Sequence, residues 1–390
     1  MKYKIFAVVS ICLFLFLTLS PAEYKKVVPK EKEEVRGIFL SYIELKNYLN
    51  GKSKEESKRN IKNIIKTMKE NHFNLLILQV RTFSDAIYPS RIFPSSKVVV
   101  KEEGDILPYD YLDYFLKVAH KEKIEVHAWI NPYRVSSSTD TSALSVKNPA
   151  YNYLGTSHIS VIPEKGIYYN PASDEVKKLV IAGIEELVEN YDIDGIHLDD
   201  YFYPNKEIDL VSYEESGTTE SLYTYRLQHV SDLVRKIYQT THKKKNCLFG
   251  ISPQGNIENN YESQFADVKT WASKKGYVDY LMPQVYYGFY NETKPYFETI
   301  KEWNELVENS NVKLYFTLAL YKTGLVDEFA KSGANEWIEE NDILKKEVLL
   351  ARNLKNYQGF SLFRYDYLVN KNIQVENTVK EIDHLKEILN

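Results

Sequence analysis

Tyr191-Asp192-Ile193-Asp194-Gly195-Ile196-His197-Leu198-Asp199-Asp200-Tyr201-Phe202-Tyr203-Pro204 is the segment whose reading decides the fold. Ile193, Ile196 and Leu198 make it a short run rich in branched residues that ends in a cluster of acids and aromatics, which reads as a strand. Side chains alternate along a strand, so Gly195, His197 and Asp199 point one way and Ile196 and Leu198 the other. The Ile196 side is expected to face helices and the Gly195 side the axis of a closed sheet. Asp199 and Asp200 then stand at the strand exit, followed by aromatic Tyr201, Phe202 and Tyr203.

Working outward, seven further runs rich in branched or aromatic residues predict strands at 36–41, 74–81, 124–131, 247–252, 277–286, 313–321 and 358–364, with the fourth at 193–199. Helical patterns separate them. Ile61, Ile64, Ile65 and Met68 recur at the 3.6-residue period, as do Val176, Leu179, Val180, Ile184 and Leu187, and Ser173 before Asp174 and Glu175 predicts an N-cap. Other helices are expected over 109–122, 221–241, 262–274, 295–308, 336–353 and 372–389. Eight strand–helix alternations predict an α/β fold, a (β/α)8 TIM barrel. A doubly wound open sheet is the alternative, but no Gly-rich phosphate loop follows the first strand. Long loops are expected at 82–109, 132–173 and 200–221, on the C-terminal face where such barrels carry catalysis, and their size suits a cleft for an extended polymer.

The chain starts Met1-Lys2-Tyr3-Lys4, runs apolar from Ile5 to Leu19 and reaches Ser20-Pro21-Ala22. This is the pattern of a signal peptide, residues 1–22, cleaved after Ala22 or kept as an anchor. Residues 23–34 read as a charged linker and 35–390 as the barrel. Beyond the leader Cys247 is the single cysteine, so no internal disulfide can form. Acidic side chains outnumber basic ones, 54 to 50, for a net charge of −4. That balance gives no electrostatic ground for binding nucleic acid or anionic lipid. The expectation is a secreted or envelope-associated protein with a polysaccharide partner, touching membrane only through an uncleaved N-terminal segment. Its 32 tyrosines suit sugar rings as well as ordinary cores.

Adjacent carboxylates at a buried strand's exit are costly, and such pairs split their titrations so that one can hold a proton near neutrality. A glycosidase needs that combination, an acid for the leaving oxygen and a carboxylate to attack or stabilise charge. The bland alternative is that a strand-end Asp caps its loop. Here Asp199 is expected as nucleophile or stabiliser and Asp200 as acid or orienting partner, with His197 and Tyr201 beside them. His127, Trp129 and Asn131 share a parity at the third strand's end; Trp stacks on pyranose faces, though a strand Trp is by default core. Gln79 and Arg81 end the second strand on one parity, with Arg81 in line to pair with Asp199, Asp200 or Asp85. Gln284 and Tyr286 end the sixth, where the Tyr hydroxyl is expected to bond a catalytic carboxylate, and Tyr321, Arg364 and Asp366 follow the last two.

No cofactor and no metal is expected. His127 and His197 with Asp199 would make a zinc site the alternative, but the tight pair of His separated by one residue is missing. No G-x-S-x-G elbow appears either.

Seven ordered motifs carry a resemblance: V-R-G-I-F-L from Val35, D-A-I-Y-P-S from Asp85, H-A-W-I-N-P-Y-R from His127, D-G-I-H-L-D-D-Y-F-Y-P from Asp194, G-I-S-P-Q-G-N from Gly250, M-P-Q-V-Y-Y-G from Met282 and G-F-S-L-F-R-Y from Gly359. Over residues 35–367 the chain resembles the glycosyl hydrolase-like family 10 proteins, the former DUF187 group of the bacterial envelope. The resemblance implies a barrel related to retaining glycosidases, export, and action on peptidoglycan or another envelope glycan. It puts Asp85, His127, Asn131, His197, Asp199, Asp200, Gln284 and Tyr286 on the family's cleft. The second catalytic carboxylate stays open among Asp200, Asp85, Glu336 and Asp366.

The expected function is a metal-free glycoside hydrolase for an extracytoplasmic glycan rich in 2-acetamido sugars. A non-catalytic glycan-binding barrel and a metal-dependent deacetylase or amidase are the rivals.

Overall fold

The computed structural model describes residues 33–389, so the predicted leader and all but the last two linker residues lie outside the described residues. Eight parallel strands close into a barrel: β1 Val35–Leu40, β2 Leu75–Arg81, β3 Glu125–Ile130, β4 Gly195–Leu198, β5 Leu248–Ile251, β6 Tyr280–Leu281, β7 Lys313–Leu318 and β8 Tyr357–Leu362. Each pairs with its sequence neighbours, and β1 pairs with β8 to close the ring. The predicted TIM barrel is therefore the fold. Ile38, Leu40, Leu76, Leu78, Ile196 and Leu198 pack outward into the main core, while Phe39, Leu75, Ile77, Trp129, Tyr280, Met282 and Tyr315 fill the interior. The alternation read from the fourth strand thus separates two cores, one inside the ring and one beneath the helices.

Helices form where amphipathic period and cap coincide. Ser173 accepts a hydrogen bond from the Val176 amide at 3.2 Å and starts Asp174–Asn190, with Asp174 and Glu175 in the first turn. Ser41 and Glu44 form a reciprocal capping box that starts Tyr42–Leu49 directly after β1. Among the described residues no helix is long and apolar enough to cross a membrane.

Several predicted elements are shorter or divided. The sixth strand keeps two residues because Pro283 has no amide hydrogen to give; beyond it only bridges from Gln284 to Gln254 and Thr317 continue the ring. The helix expected over 262–274 becomes Ile257–Glu262 and Val268–Ser273, since Asp267 caps Thr270 and restarts the turn. That expected over 336–353 divides into Glu336–Glu339 and Ile343–Ala351, the second capped by Glu381, which accepts from the Ile343 and Leu344 amides. The long segment after β3, read as loop, carries its own antiparallel sheet of Arg134–Ser136, Ile159–Ile162 and Gly166–Tyr169.

Candidate active site

At the C-terminal mouth of the barrel lies a groove of about 290 Å³. Asp199 and Asp200 leave β4 into it. Asp199 is 5% exposed; its Oδ2 accepts from Trp129 Nε1 at 3.1 Å and its Oδ1 from the Tyr201 amide at 3.2 Å. Asp200 is half-buried, and its Oδ1 accepts from Gln284 Nε2 at 3.0 Å. Gln284 is itself held by the Ser252 carbonyl at 2.9 Å, so β5 and β6 together fix Asp200.

Burial raises Asp199 to about 7, and the negative charge of Asp200 adds to the rise, against hydrogen bonds from Tyr201 and Trp129 and the charge of Arg134. Asp200 is also raised by burial, with Gln284 and Gln254 opposing. Neighbouring acids titrate as a unit. Asp199, the deeper of the two and facing the charge of its neighbour, is raised to where it is partly protonated at neutral pH. This pair can therefore offer one carboxylic acid and one carboxylate side by side.

The predicted lining residues divide by depth and direction. Trp129, Asn131, Tyr201, Gln284, Tyr286 and Arg364 do line the groove. Trp129 meets both earlier readings: it is 6% exposed, packs edge-on to Phe39 at 5.5 Å inside the barrel, and presents its nitrogen to Asp199. Asn131 Oδ1 accepts from the Arg134 amide at 3.1 Å, fixing the turn out of β3. Arg364 Nε pairs with buried Glu44 at 2.7 Å, which anchors the β8 exit to the helix after β1. Tyr286 contributes its ring, packed with Tyr321 and Phe363; Gln284, not the Tyr286 hydroxyl, is the group that reaches Asp200.

Four predicted residues stand elsewhere. His127 and His197 lie below the groove, 1% and 0% exposed, with both Nδ1 atoms 2.8 Å from the Tyr280 hydroxyl and His197 Nε2 3.0 Å from Ser252 Oγ. Burial, with the charge of Lys313 adding, lowers His127 to about 3, and burial also lowers His197, so both rings are neutral. They share the predicted parity but form a lower layer of the interior. Glycines make that layer possible: a Cβ on Gly250 would stand 2.0 Å from the Tyr280 ring, and one on Gly195 2.7 Å from His127.

Arg81 turns away from the groove altogether. The ladder between β2 and β3 shifts register between Gln79 and Arg81, which breaks the alternation and sends Arg81 under the helices. Its guanidinium lies 3.7 Å from the Phe93 ring centre and against Gly183, and its Nε and Nη1 have no hydrogen-bond partner among the described residues. Asp85 lines a neighbouring pocket. Of the open carboxylates only Asp200 shares the groove with Asp199: Glu336 accepts from the Phe289 and Tyr290 amides, and Asp366 from the Tyr48 hydroxyl at 3.2 Å.

Sequence reading missed Phe39, Tyr42 and Arg134 as groove residues. Arg134 closes the H-A-W-I-N-P-Y-R motif and was visible there. Tyr42 gives no such signal, because only the capping box turns its helix across the mouth.

A family model described as Glycosyl hydrolase-like 10 matches residues 34–334, from the edge of β1 into the segment after β7. Glycosyl hydrolase YngK of Bacillus subtilis (strain 168) is 31% identical over 348 residues, covering 83% of this chain and 66% of that protein. The chain thus spans a little under two thirds of that relative's length. Glycosyl hydrolase DigH of Escherichia coli (strain K12) is 29% identical over 325 residues, 76% of this chain and 72% of that protein. The glycoside hydrolase domain of PgaB (BpsB) from Bordetella bronchiseptica shares the fold, with a TM-score of 0.60 at 13% identity over 90% of this chain and 99% of that one. The match running through seven of the eight barrel strands, the chain belongs to the glycosyl hydrolase-like 10 family.

Proposed function

We propose that this chain is a glycoside hydrolase acting outside the cytoplasm on a polysaccharide of 2-acetamido sugars, peptidoglycan glycan strands first among them. The observation that carries the reading is the pair of adjacent acids at the barrel mouth, Asp199 buried against Trp129 and Asp200 held by Gln284. Membership of a glycosyl hydrolase-like family and relatives named glycosyl hydrolases support it. The basic and apolar N-terminus supports an extracytoplasmic location.

The roles follow from the titration order and reverse those expected from sequence. Asp199 gives its proton to the glycosidic oxygen as the bond to the anomeric carbon breaks. The acetamido carbonyl oxygen of the same sugar attacks that carbon, and the resulting cyclic cation is balanced by the Asp200 carboxylate. Water then adds to the anomeric carbon and returns a proton to Asp199, restoring the acetamido group. Substrate assistance of this kind suits two adjacent acids, which are not placed on opposite faces of the ring as a separate nucleophile and acid would be. Groove aromatics Trp129, Tyr201 and Tyr286 offer faces for the sugar.

Release of reducing ends from purified glycan strands tests the proposal. The unaltered protein should produce them, and Asp199→Asn and Asp200→Asn should each lose nearly all of that activity. Full activity in both variants would end the reading.

A further inference from the structure

Beside the catalytic groove lies a second pocket of about 300 Å³, built from the segments that follow β1, β2 and β3. Tyr42 lines both cavities. The wall between them is the edge-on pair of Tyr42 and Phe83, 5.9 Å between ring centres, with the Arg134 guanidinium 5.1 Å over Phe83. The two cavities thus adjoin at this wall.

Its lining is mostly apolar, with Val98, Val135 and Leu144 on the walls. One buried carboxylate opens into it: Asp85 is 4% exposed and takes a 3.3 Å bond from the Phe83 amide and another from the Ser96 side chain. A carboxylate has about four acceptor positions, so acceptor capacity remains. Glu103, the other acid of the pocket, is occupied by the Ser145 amide at 2.6 Å and Asn148 Nδ2 at 2.8 Å. Ser136, Ser137, Ser138, Lys46 and Lys97 complete the polar lining, but apolar walls beside a buried carboxylate with free acceptor capacity are the complement of an acetamido group, which presents a methyl and an amide N–H. A plain hydroxylated sugar would leave the apolar wall unfilled.

We propose that this pocket is a second saccharide subsite, taking the acetamido group of a sugar next along the chain from the one in the groove, with Asp85 accepting its amide N–H. The inference rests on the reading of the groove as a glycan site. It makes the enzyme one that recognises at least two acetamido sugars at once.

Calorimetric titration of the Asp199→Asn protein, which binds without turnover, tests the subsite with three β-1,4 tetramers: of N-acetylglucosamine, of glucosamine and of glucose. The N-acetylated tetramer should bind at least about tenfold more tightly than the other two, by about one charge-assisted hydrogen bond. Adding Asp85→Leu should cut that preference about tenfold, leaving the part that the groove's own acetamido contact supplies. Leu144→Trp, which fills the pocket from the opposite wall, should cut it to a similar degree and guards against a folding defect in the first variant. Equal affinity for the three tetramers, no binding of any, or a preference untouched by both variants would overturn the subsite. If the preference holds but the unaltered protein releases no reducing ends, the subsite stands and the hydrolase reading falls. If strands are cleaved and both pocket variants leave the preference intact, the reverse is true.

Discussion

Trp129 Nε1 donates a 3.1 Å hydrogen bond to Asp199 Oδ2, so a ring that belongs to the barrel's interior core also holds the acid at its mouth. The bond favours the ionised carboxylate and works against the burial that raises Asp199 to about 7.

Trp129→Phe keeps an aromatic core and removes that donor. Asp199 should then keep its proton to higher pH, moving the alkaline limb of the kcat profile upward. Looser seating of the acid should lower kcat by about tenfold, on the order of one charge-assisted hydrogen bond. An unmoved limb in steady-state pH profiles would show that Asp199 is not the group being titrated.

Asp199 should also destabilise the fold at alkaline pH. Its folded value, about 7, lies above the ordinary carboxylate value of 3.8, so the folded state binds the proton more tightly. The associated stability is fully present below the unfolded value and is lost as pH rises through about 7. At about 1.4 kcal/mol per unit, Asp199→Asn should stabilise the protein at pH 8 by a few kcal/mol and much less at pH 4. Denaturant unfolding at the two pH values measures the difference, and equal effects would contradict the burial argument.

Gln284→Leu removes the donor that holds Asp200. The Gln284 bond lowers the Asp200 titration, so its loss should raise it and carry the acidic limb of activity to higher pH. On the proposed mechanism, binding of glycan to the variant should weaken by less than kcat falls, because what is lost is the orientation of the carboxylate that balances the cation.

Arg81→Met tests the outward turn of that side chain. The guanidinium is buried on Phe93, and two of its nitrogens lack a hydrogen-bond partner among the described residues, so an apolar replacement of similar length removes a desolvation cost. The melting temperature should hold or rise, and kcat/KM should stay within about twofold, since nothing in the groove is altered. A large loss of activity with intact folding would return Arg81 to the site.

Gly250→Ala should be severe. The new methyl would stand 2.0 Å from the Tyr280 ring, which is locked between two histidines and cannot swing aside. A loss of about 3 kcal/mol or more is expected by denaturant titration. Adding Tyr280→Leu should restore part of it by vacating the space.

The amino-acid sequence alone determined the eight strands, the closed barrel, the inward parity of Gly195, His197 and Asp199, and the acid pair at the mouth. These are local properties: apolar run length, period and turn residues act over a few neighbours. Tertiary structure alone decided which inward residues lie at the rim and which lie below. Parity gives a side and not a height, so His197, two residues before Asp199 and about 6.6 Å deeper along its strand, bonds to Tyr280 and Ser252 while Asp199 meets the groove. Alternation itself held until the register shift after Gln79, where pairing with β3 overrode it and sent Arg81 outward. The second carboxylate was likewise a matter of distant packing. Asp200, Asp85, Glu336 and Asp366 look alike in the chain, and only closure of the ring put Gln284 of the sixth strand's exit beside the first of them.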